Sequence, residues 1–445
     1  MAEVLLTHSN HLWSDRKQIE KMQPYPPLQT MLAAAVLRAH GIEVALFDPT
    51  LIPPDEAVIQ HFEAALEAHR PRLVVVCEDD FNFLSKMCLM RNRELAFGMA
   101  AVSQRYGRKA VVHGADASDH TAEYLAAGFS SVLLGEVEST LLDVAQDRLK
   151  TKICGSPRVL STDLDALPLP AWDLIDIESY RTAWLSRHGY FSLNIASSRG
   201  CPYRCNWCAK PIYGQSYRCR SAAAVAGEML HLKHTYSPDN IWFADDIFAL
   251  SPRWTHEFAS AVSQLGAHIP FRMQSRCDLM TRETVVALRQ AGCAEVWMGA
   301  ESGSQRILDA MEKGTQVQQI HQACENLRRN GIRVGLFLQF GYAGEEWDDI
   351  EATIRMVRET QPDDVGISVS YPMPGTRFHE LVALQLGPVT NWSDSADLAM
   401  MFRGTYSTEF YRALADAVHR EVRDGDDVAG AWSRVYERVD GVAAR

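Results

Sequence analysis

Three cysteines lie close enough together in this sequence to share one metal centre. Cys201, Cys205 and Cys208 stand in C-x3-C-x2-C spacing within Ser197–Tyr213, SSRGCPYRCNWCAKPIY, and Gly200 and Pro202 break any regular helix there. Soft thiolate ligands select zinc, copper(I) or an iron–sulfur cluster. A structural zinc closes its tetrahedron with a fourth protein ligand from a second paired motif. The next cysteine, Cys219, stands alone eleven residues after Cys208. Three ligands on a cubane [4Fe–4S] cluster leave one iron open to a small molecule.

The cysteine loop, with the aromatic Trp207 before its third cysteine, resembles that of the radical S-adenosylmethionine (SAM) enzymes. The resemblance implies that Cys201, Cys205 and Cys208 bind a [4Fe–4S] cluster and that its open iron chelates the amino and carboxylate groups of SAM. One electron then cleaves the C5′–S bond to give a 5′-deoxyadenosyl radical. It further implies an electron donor such as flavodoxin or ferredoxin and a small-molecule substrate.

Other marks of that family follow in order. Asp245 and Asp246 occupy the place of an acidic segment that contacts the SAM amino group, and Arg276 follows the next strand. Gly299-Ala300-Glu301-Ser302-Gly303 resembles G-x-E-S-G, whose glutamate is expected near the SAM ribose or methionine moiety, and Lys313-Gly314 completes M-x-K-G. Phe340-Gly341-Tyr342-Ala343-Gly344-Glu345 matches a turn near adenine, and Pro372-Met373-Pro374-Gly375-Thr376 matches P-x-P-G-T. The resemblance therefore names Trp207, Asp245, Asp246, Arg276, Glu301, Ser302 and Gly341 as the cofactor-binding set. No catalytic residue beyond the ligands is identified. Each mark also has an ordinary use, in helix capping or turns; their shared place at strand ends carries the reading.

The elements that must position these residues are read from apolar periodicity. From residue 190 on, strands over Ser192–Ala196, Asn240–Ala244, Phe271–Gln274, Glu295–Met298, Arg333–Gln339 and Val365–Val369 alternate with helices. Six strands with crossovers fit the partial (β/α)6 TIM-type barrel of radical SAM enzymes, with the cysteine loop at a strand's carboxyl end, where α/β barrels place chemistry.

Before it, strands at Val4–Leu6, Ile42–Phe47, Leu73–Cys77, Ala110–His113 and Ser131–Leu134 alternate with helices such as Leu28–Ala39, and helices are also read near Leu84–Tyr106, Ala117–Ala126 and Glu138–Leu149. That pattern implies a doubly wound, Rossmann-like sheet with ligand sites beyond its strands' carboxyl ends, at Thr7–Trp13, Glu78–Phe83 and Gly114–Asp119. Gly135-Glu136 and Glu138 resemble the end of the cobalamin (B12)-binding domain of one radical SAM class. The Asp-x-His-x-x-Gly cobalt-ligand motif is absent, although His8 and His11 fall on the corresponding loop. Cobalamin is accordingly left open. The division expected is α/β throughout: 1–150 Rossmann-like, 151–189 linker, 190–376 barrel and 377–445 helical tail.

A net charge of −12 with no Lys/Arg-rich run argues against nucleic-acid binding, and no apolar run is long enough for a membrane span. Ten cysteines without disulfide-like pairing and no signal-peptide pattern point to the cytoplasm. The functional expectation is hydrogen abstraction from a small polar metabolite in natural-product, including antibiotic, biosynthesis. Its leading form is a lyase-type dehydration or rearrangement of a sugar- or aminoglycoside-like diol, similar to the radical SAM diol dehydratase of the apramycin pathway. The alternative is a cobalamin-dependent radical SAM C-methyltransferase.

Overall fold

The computed structural model describes residues 2–81, 90–155, 163–210, 212–386 and 398–443. The first part is a six-stranded parallel sheet in the order β2-β1-β3-β4-β5-β6: β1 Val4–Thr7, β2 Val44–Phe47, β3 Leu73–Cys77, β4 Lys109–His113, β5 Ser131–Leu134 and β6 Ile153–Gly155. Period-two alternation divides its apolar side chains between two faces. Val4, Leu6, Val75 and Val111 pack under helices Leu28–Ala39 and Val137–Ala145. Leu5, Val74, Val76 and Val112 pack under Val58–His69 and Met90–Arg105. The switch point lies between β1 and β3.

The helix read near Leu84–Tyr106 is found from Met90, and its expected start lies outside the described residues. The helix read at Ala117–Ala126 is two short helices, Ala115–Asp119 and Thr121–Ala126.

The span 151–189 is more than a linker. β6 closes the first sheet, and helix Ile177–His188 sends Tyr180 and Trp184 into the core of the second part. That helix carries its own signals: the Asp176 carboxylate accepts from the Ser179 N–H, and Gly189 ends it at φ +71°.

The second part is a parallel sheet of β7 Ser192–Ile195, β10 Asn240–Phe243, β11 Phe271–Ser275, β12 Cys293–Glu301, β13 Arg333–Phe340 and β14 Asp364–Val369, in sequential order. This is the expected six-stranded partial barrel, with β7 and β14 as its free edges. Between β7 and β10, β8 Ser198–Arg199 and β9 Arg218–Cys219 pair antiparallel and close the base of the cysteine loop. In the tail, helix Thr408–Val422 packs Phe410, Tyr411, Leu414 and Val418 into the barrel core. It is tied to β14 by His419 Nε2 to the Val365 carbonyl, 3.2 Å, and to helix Val428–Ala443 by Trp432 Nε1 to Glu421, 2.6 Å.

A segment from the first part packs against the amino-terminal ends of the barrel strands. After the short helix Arg16–Lys21, capped by Asp15, the chain runs through Pro24-Tyr25-Pro26 against the barrel. Trp184 Nε1 donates to the Pro24 carbonyl at 2.7 Å and Asn194 Nδ2 to that of Pro26 at 3.1 Å. Arg272 donates to the Tyr25 hydroxyl at 3.1 Å. Across the seam, Lys17 and Lys21 lie within electrostatic reach of His419 and Asp364. Among the described residues no helix is long and apolar enough to cross a membrane.

Candidate active site

The cysteine loop leaves the carboxyl end of β7, and its entry is fixed by Asp245 at the end of β10. The buried Asp245 carboxylate accepts from the Ser197 N–H at 3.1 Å, from the Ser197 hydroxyl at 2.7 Å and from the Ser198 hydroxyl. Burial pushes this carboxyl up to about 6, against those hydrogen bonds. Gly200 follows at φ +76°, where a Cβ would come within 2.2 Å of the Ser216 carbonyl oxygen. Only glycine fits that turn.

The three thiols are half-buried. Burial pushes Cys208 up to about 12 and raises Cys201. Among the described residues no three His, Cys, Asp or Glu side chains, these thiols included, converge closely enough to hold a metal ion. Their donor chemistry nevertheless fits a three-thiolate iron–sulfur site: three soft donors share one short loop at a barrel's carboxyl end. Ligation requires the thiolates, and the positive charge of a bound metal offsets the burial that raises these thiols. The buried cysteines outside the loop are occupied elsewhere, with Cys277 donating to the Gly299 carbonyl at 3.8 Å and Cys293 to that of Glu295 at 3.6 Å.

Arg276, after β11, brings a cation to this loop. It lies 3.7 Å over the Tyr203 ring, donates to Cys205 Sγ at 3.9 Å and to the Lys313 carbonyl at 2.9 Å, and is paired with Asp278 at 2.9 Å. A guanidinium so placed sets a positive charge beside the Cys205 sulfur. Asn206 anchors the loop from its other side: its N–H donates to the Met311 carbonyl at 3.0 Å and its side chain to that of Ala310 at 2.7 Å. Trp207 packs against Ile307, Met311, Tyr342 and Phe378.

Glu301 ends β12 through a register shift at Gly299/Glu301 and sits at φ +61°, a left-handed conformation that costs about 1–3 kcal/mol for a non-glycine residue. Its Oε1 accepts from Lys313 Nζ at 2.7 Å, both side chains being 6% exposed. Gly299 leaves the space, since a Cβ there would lie 2.5 Å from Glu301 Oε1 and 2.7 Å from Lys313 Nζ.

Ser302 is spent on structure: its hydroxyl meets Thr353 Oγ1 at 3.1 Å and accepts from the Ser304 N–H at 3.1 Å. Gly341, at φ +73°, donates its N–H to Glu345 at 2.6 Å. Of the cofactor-binding set, Arg276 and Asp246 face the cysteines, Asp246 within electrostatic reach of Cys201 and Cys208. Asp245 holds the loop from beneath and Glu301 is held by Lys313. Sequence reasoning missed Asn206, Tyr203 and the two serines, whose roles depend on contacts remote in the chain.

The carboxyl edge of the first sheet faces this loop. His8 and His11 have both ring nitrogens engaged: His8 with Asp48 at 3.1 Å and the Asn10 N–H at 3.1 Å, His11 with the Ile52 carbonyl at 2.8 Å and Ser14 at 3.5 Å. Neither can ligate a cobalt as placed. Ser9, Glu78, Asp79, Asp80, Glu136 and Glu138 are all buried. Burial lifts Glu78 to about 7 and Asp79 to about 6. Arg199 bridges from the cysteine loop's base to Glu136 and Glu138 across the boundary. The cavity beside it, between Leu28, Phe81, Leu164 and Arg199, holds about 40 Å³. Pockets for drug-sized ligands run to about 300–1,000 Å³. As it stands, that cavity does not hold a corrin.

Residues 195–357, which hold this loop, match the radical SAM superfamily. Such a domain takes a [4Fe–4S] cluster and SAM as its cofactors. Among curated proteins the chain is similar to an uncharacterized methyltransferase of Pyrococcus horikoshii, 30% identical over 239 residues, covering 53% of this chain and 51% of that protein. It is also similar to the hopanoid C-3 methylase of Methylococcus capsulatus, 28% identical over 236 residues, covering 52% and 44%. The chain spans about half the length of the curated relatives it matches. Among solved structures, the cobalamin- and [4Fe–4S]-bound radical SAM methyltransferase TsrM of Kitasatospora setae shares the fold. That match has a TM-score of 0.69 and 18% identity over 87% of this chain and 76% of that one. These likenesses show the two-part architecture expected from the sequence.

Proposed function

We propose that this chain is a radical SAM enzyme that cleaves SAM reductively and makes a carbon radical on a small-molecule substrate. The observation that carries the reading is the three-cysteine loop at the carboxyl end of β7, flanked by Arg276 and by the Glu301–Lys313 pair. The cluster, when bound, supplies the electron that breaks the C5′–S bond. The chain's own residues hold the loop by Asp245 and Asn206, set a cation beside Cys205 and place Asp246 within electrostatic reach of Cys201 and Cys208. The Pro24–Pro26 segment packs on the amino-terminal ends of the barrel strands, opposite the cysteine loop.

The relatives favour C-methyl transfer as the outcome, in its cobalamin-dependent form, over the dehydration expected from the sequence. In this chain that outcome requires the Arg199 bridges to part so that a corrin can enter. A radical dehydration or rearrangement is the second reading, and the closed edge favours it because it needs no corrin.

The test is anaerobic reconstitution of the cluster with hydroxocobalamin offered, followed by desalting, cobalt and iron quantification, and incubation with SAM and dithionite. Release of 5′-deoxyadenosine, lost in Cys205→Ala together with iron, supports the enzyme class. Persistence at the normal rate in that variant overturns it. Stoichiometric cobalt selects methyl transfer; no retained cobalt with SAM still cleaved selects the second reading.

A further inference from the structure

The base of the cysteine loop is held by the neighbouring domain. Arg199, 3% exposed, is the last residue of β8 and stands two residues before Cys201. Its Nη1 donates to Glu136 Oε2 at 2.8 Å and its Nη2 to Glu138 Oε1 at 2.5 Å. Arg218, directly opposite Arg199 in the β8–β9 ladder, also pairs with Glu136. Both strands that close the loop are therefore fixed to the segment following β5 of the first sheet.

A second set of contacts completes the hold. The Arg199 guanidinium lies 5.2 Å over the Tyr213 ring, which stacks on Phe81 at 5.4 Å. The Tyr213 hydroxyl donates to Gln29 Oε1 at 2.6 Å; Gln29 Nε2 donates to Glu138 at 3.2 Å and its N–H to Asp79 at 3.0 Å. Gln29 thus connects the amino end of helix Leu28–Ala39 to the loops after β3 and β5 and to the distal side of the cysteine loop. A planar fork on two carboxylates fixes position and angle together, which an ammonium cannot reproduce.

We infer that Arg199 is a positioning residue. Through Glu136 and Glu138 the N-terminal domain sets where the cysteine loop presents its thiols, and so the geometry of the cluster and of SAM upon it. The inference rests on the radical SAM reading of that loop and on the closed arrangement in which the Arg199 bridges are made.

Three variants of the full chain, Arg199→Met, Arg199→Lys and Glu138→Gln, test it beside the wild type. The readouts are iron and sulfide per chain, the electron paramagnetic resonance signal of the reduced cluster with and without SAM, and the KM for SAM against kcat. Loss of a residue that orients metal ligands costs about 10–100-fold in affinity or activity. The expected result for Arg199→Met is a changed signal and a KM for SAM raised about tenfold or more, partly restored in Arg199→Lys. Glu138→Gln, which leaves the Glu136 arm intact, moves the same readouts less, and it decides the matter if Arg199→Met does not fold.

A folded Arg199→Met protein with the wild-type signal and KM overturns the inference, even if its melting temperature falls. If Arg199→Met does not fold, wild-type readouts in Glu138→Gln overturn it. If the wild type itself takes up no cluster or cleaves no SAM, it is the functional reading that fails.

Discussion

Glu345 gives a prediction whose size follows from its surroundings. It is fully buried in the turn after β13; Oε2 accepts from the Gly341 N–H at 2.6 Å, while Oε1 is buried with no hydrogen-bond partner among the described residues. Burial, with Asp349 adding to it, pushes this carboxyl up to about 8. A free glutamate titrates near about 4.3. Between those values the folded chain keeps a proton that the unfolded chain has released, so stability is lost as pH rises through the window. At about 1.36 kcal/mol per pKa unit, the full loss reaches about 5 kcal/mol. Glu345→Gln keeps an acceptor for Gly341 and cannot ionise. Urea unfolding of wild type and variant, followed at intervals from about pH 4 to pH 8, isolates this group because the other titrations cancel in the difference. The variant should gain on the wild type by about 3–5 kcal/mol across the range. Parallel curves would mean that the carboxylate is ionised and well partnered, and the reasoning would fail.

Lys313→Met should destabilise the chain by about 3–5 kcal/mol, because it leaves Glu301 buried without its partner, and adding Glu301→Gln should recover most of that loss; thermal unfolding of the three proteins measures it. Gly335→Ala would bring a Cβ within 2.3 Å of the Trp297 ring and should cost about 1–3 kcal/mol with a shift in tryptophan emission. Gly227→Ala, in the helix Ala222–Tyr236 with nothing near the added carbon, should instead raise the unfolding midpoint, by about 0.5–1 kcal/mol. Asp245→Ala removes the acceptor shared by Ser197 and Ser198, and iron retained after reconstitution and desalting should fall, by about tenfold in affinity.

The parts of this molecule that were legible in the sequence are those set by short-range rules. The apolar runs at Leu73–Cys77 and Ser131–Leu134 and the helix Leu28–Ala39 needed only periodicity, and the structure returns those boundaries. The cysteine loop was legible because ligand spacing is itself local. Helix Ile177–His188 was read as part of a connector because prolines precede it, although its buried residues Ile177, Tyr180 and Trp184 fall on one helical stripe. The employment of the acidic residues was not legible. Asp245 and Glu301 lie at the strand ends expected of them, but what each carboxylate binds depends on partners set by tertiary packing: Ser197, 48 residues away, and Lys313, reached across a helix. The same holds for Glu136 and Glu138, which are spoken for by Arg199, more than 60 residues on.

The Pro24–Pro26 segment bears on how far this chain is modular. A domain that can be exchanged between proteins meets its neighbour through one surface and one tether. Here the first domain contributes backbone carbonyls and a tyrosine to the wall of the second, at the amino-terminal ends of its strands beside Trp184, Asn194 and Arg272. A barrel expressed from residue 190 onward would lack both that wall and the Trp184 helix behind it. Transplanting a related N-terminal domain onto this barrel succeeds only when the graft carries a segment that refills the seam. Fusion boundaries for this chain therefore follow the seam rather than the gap between the two sheets.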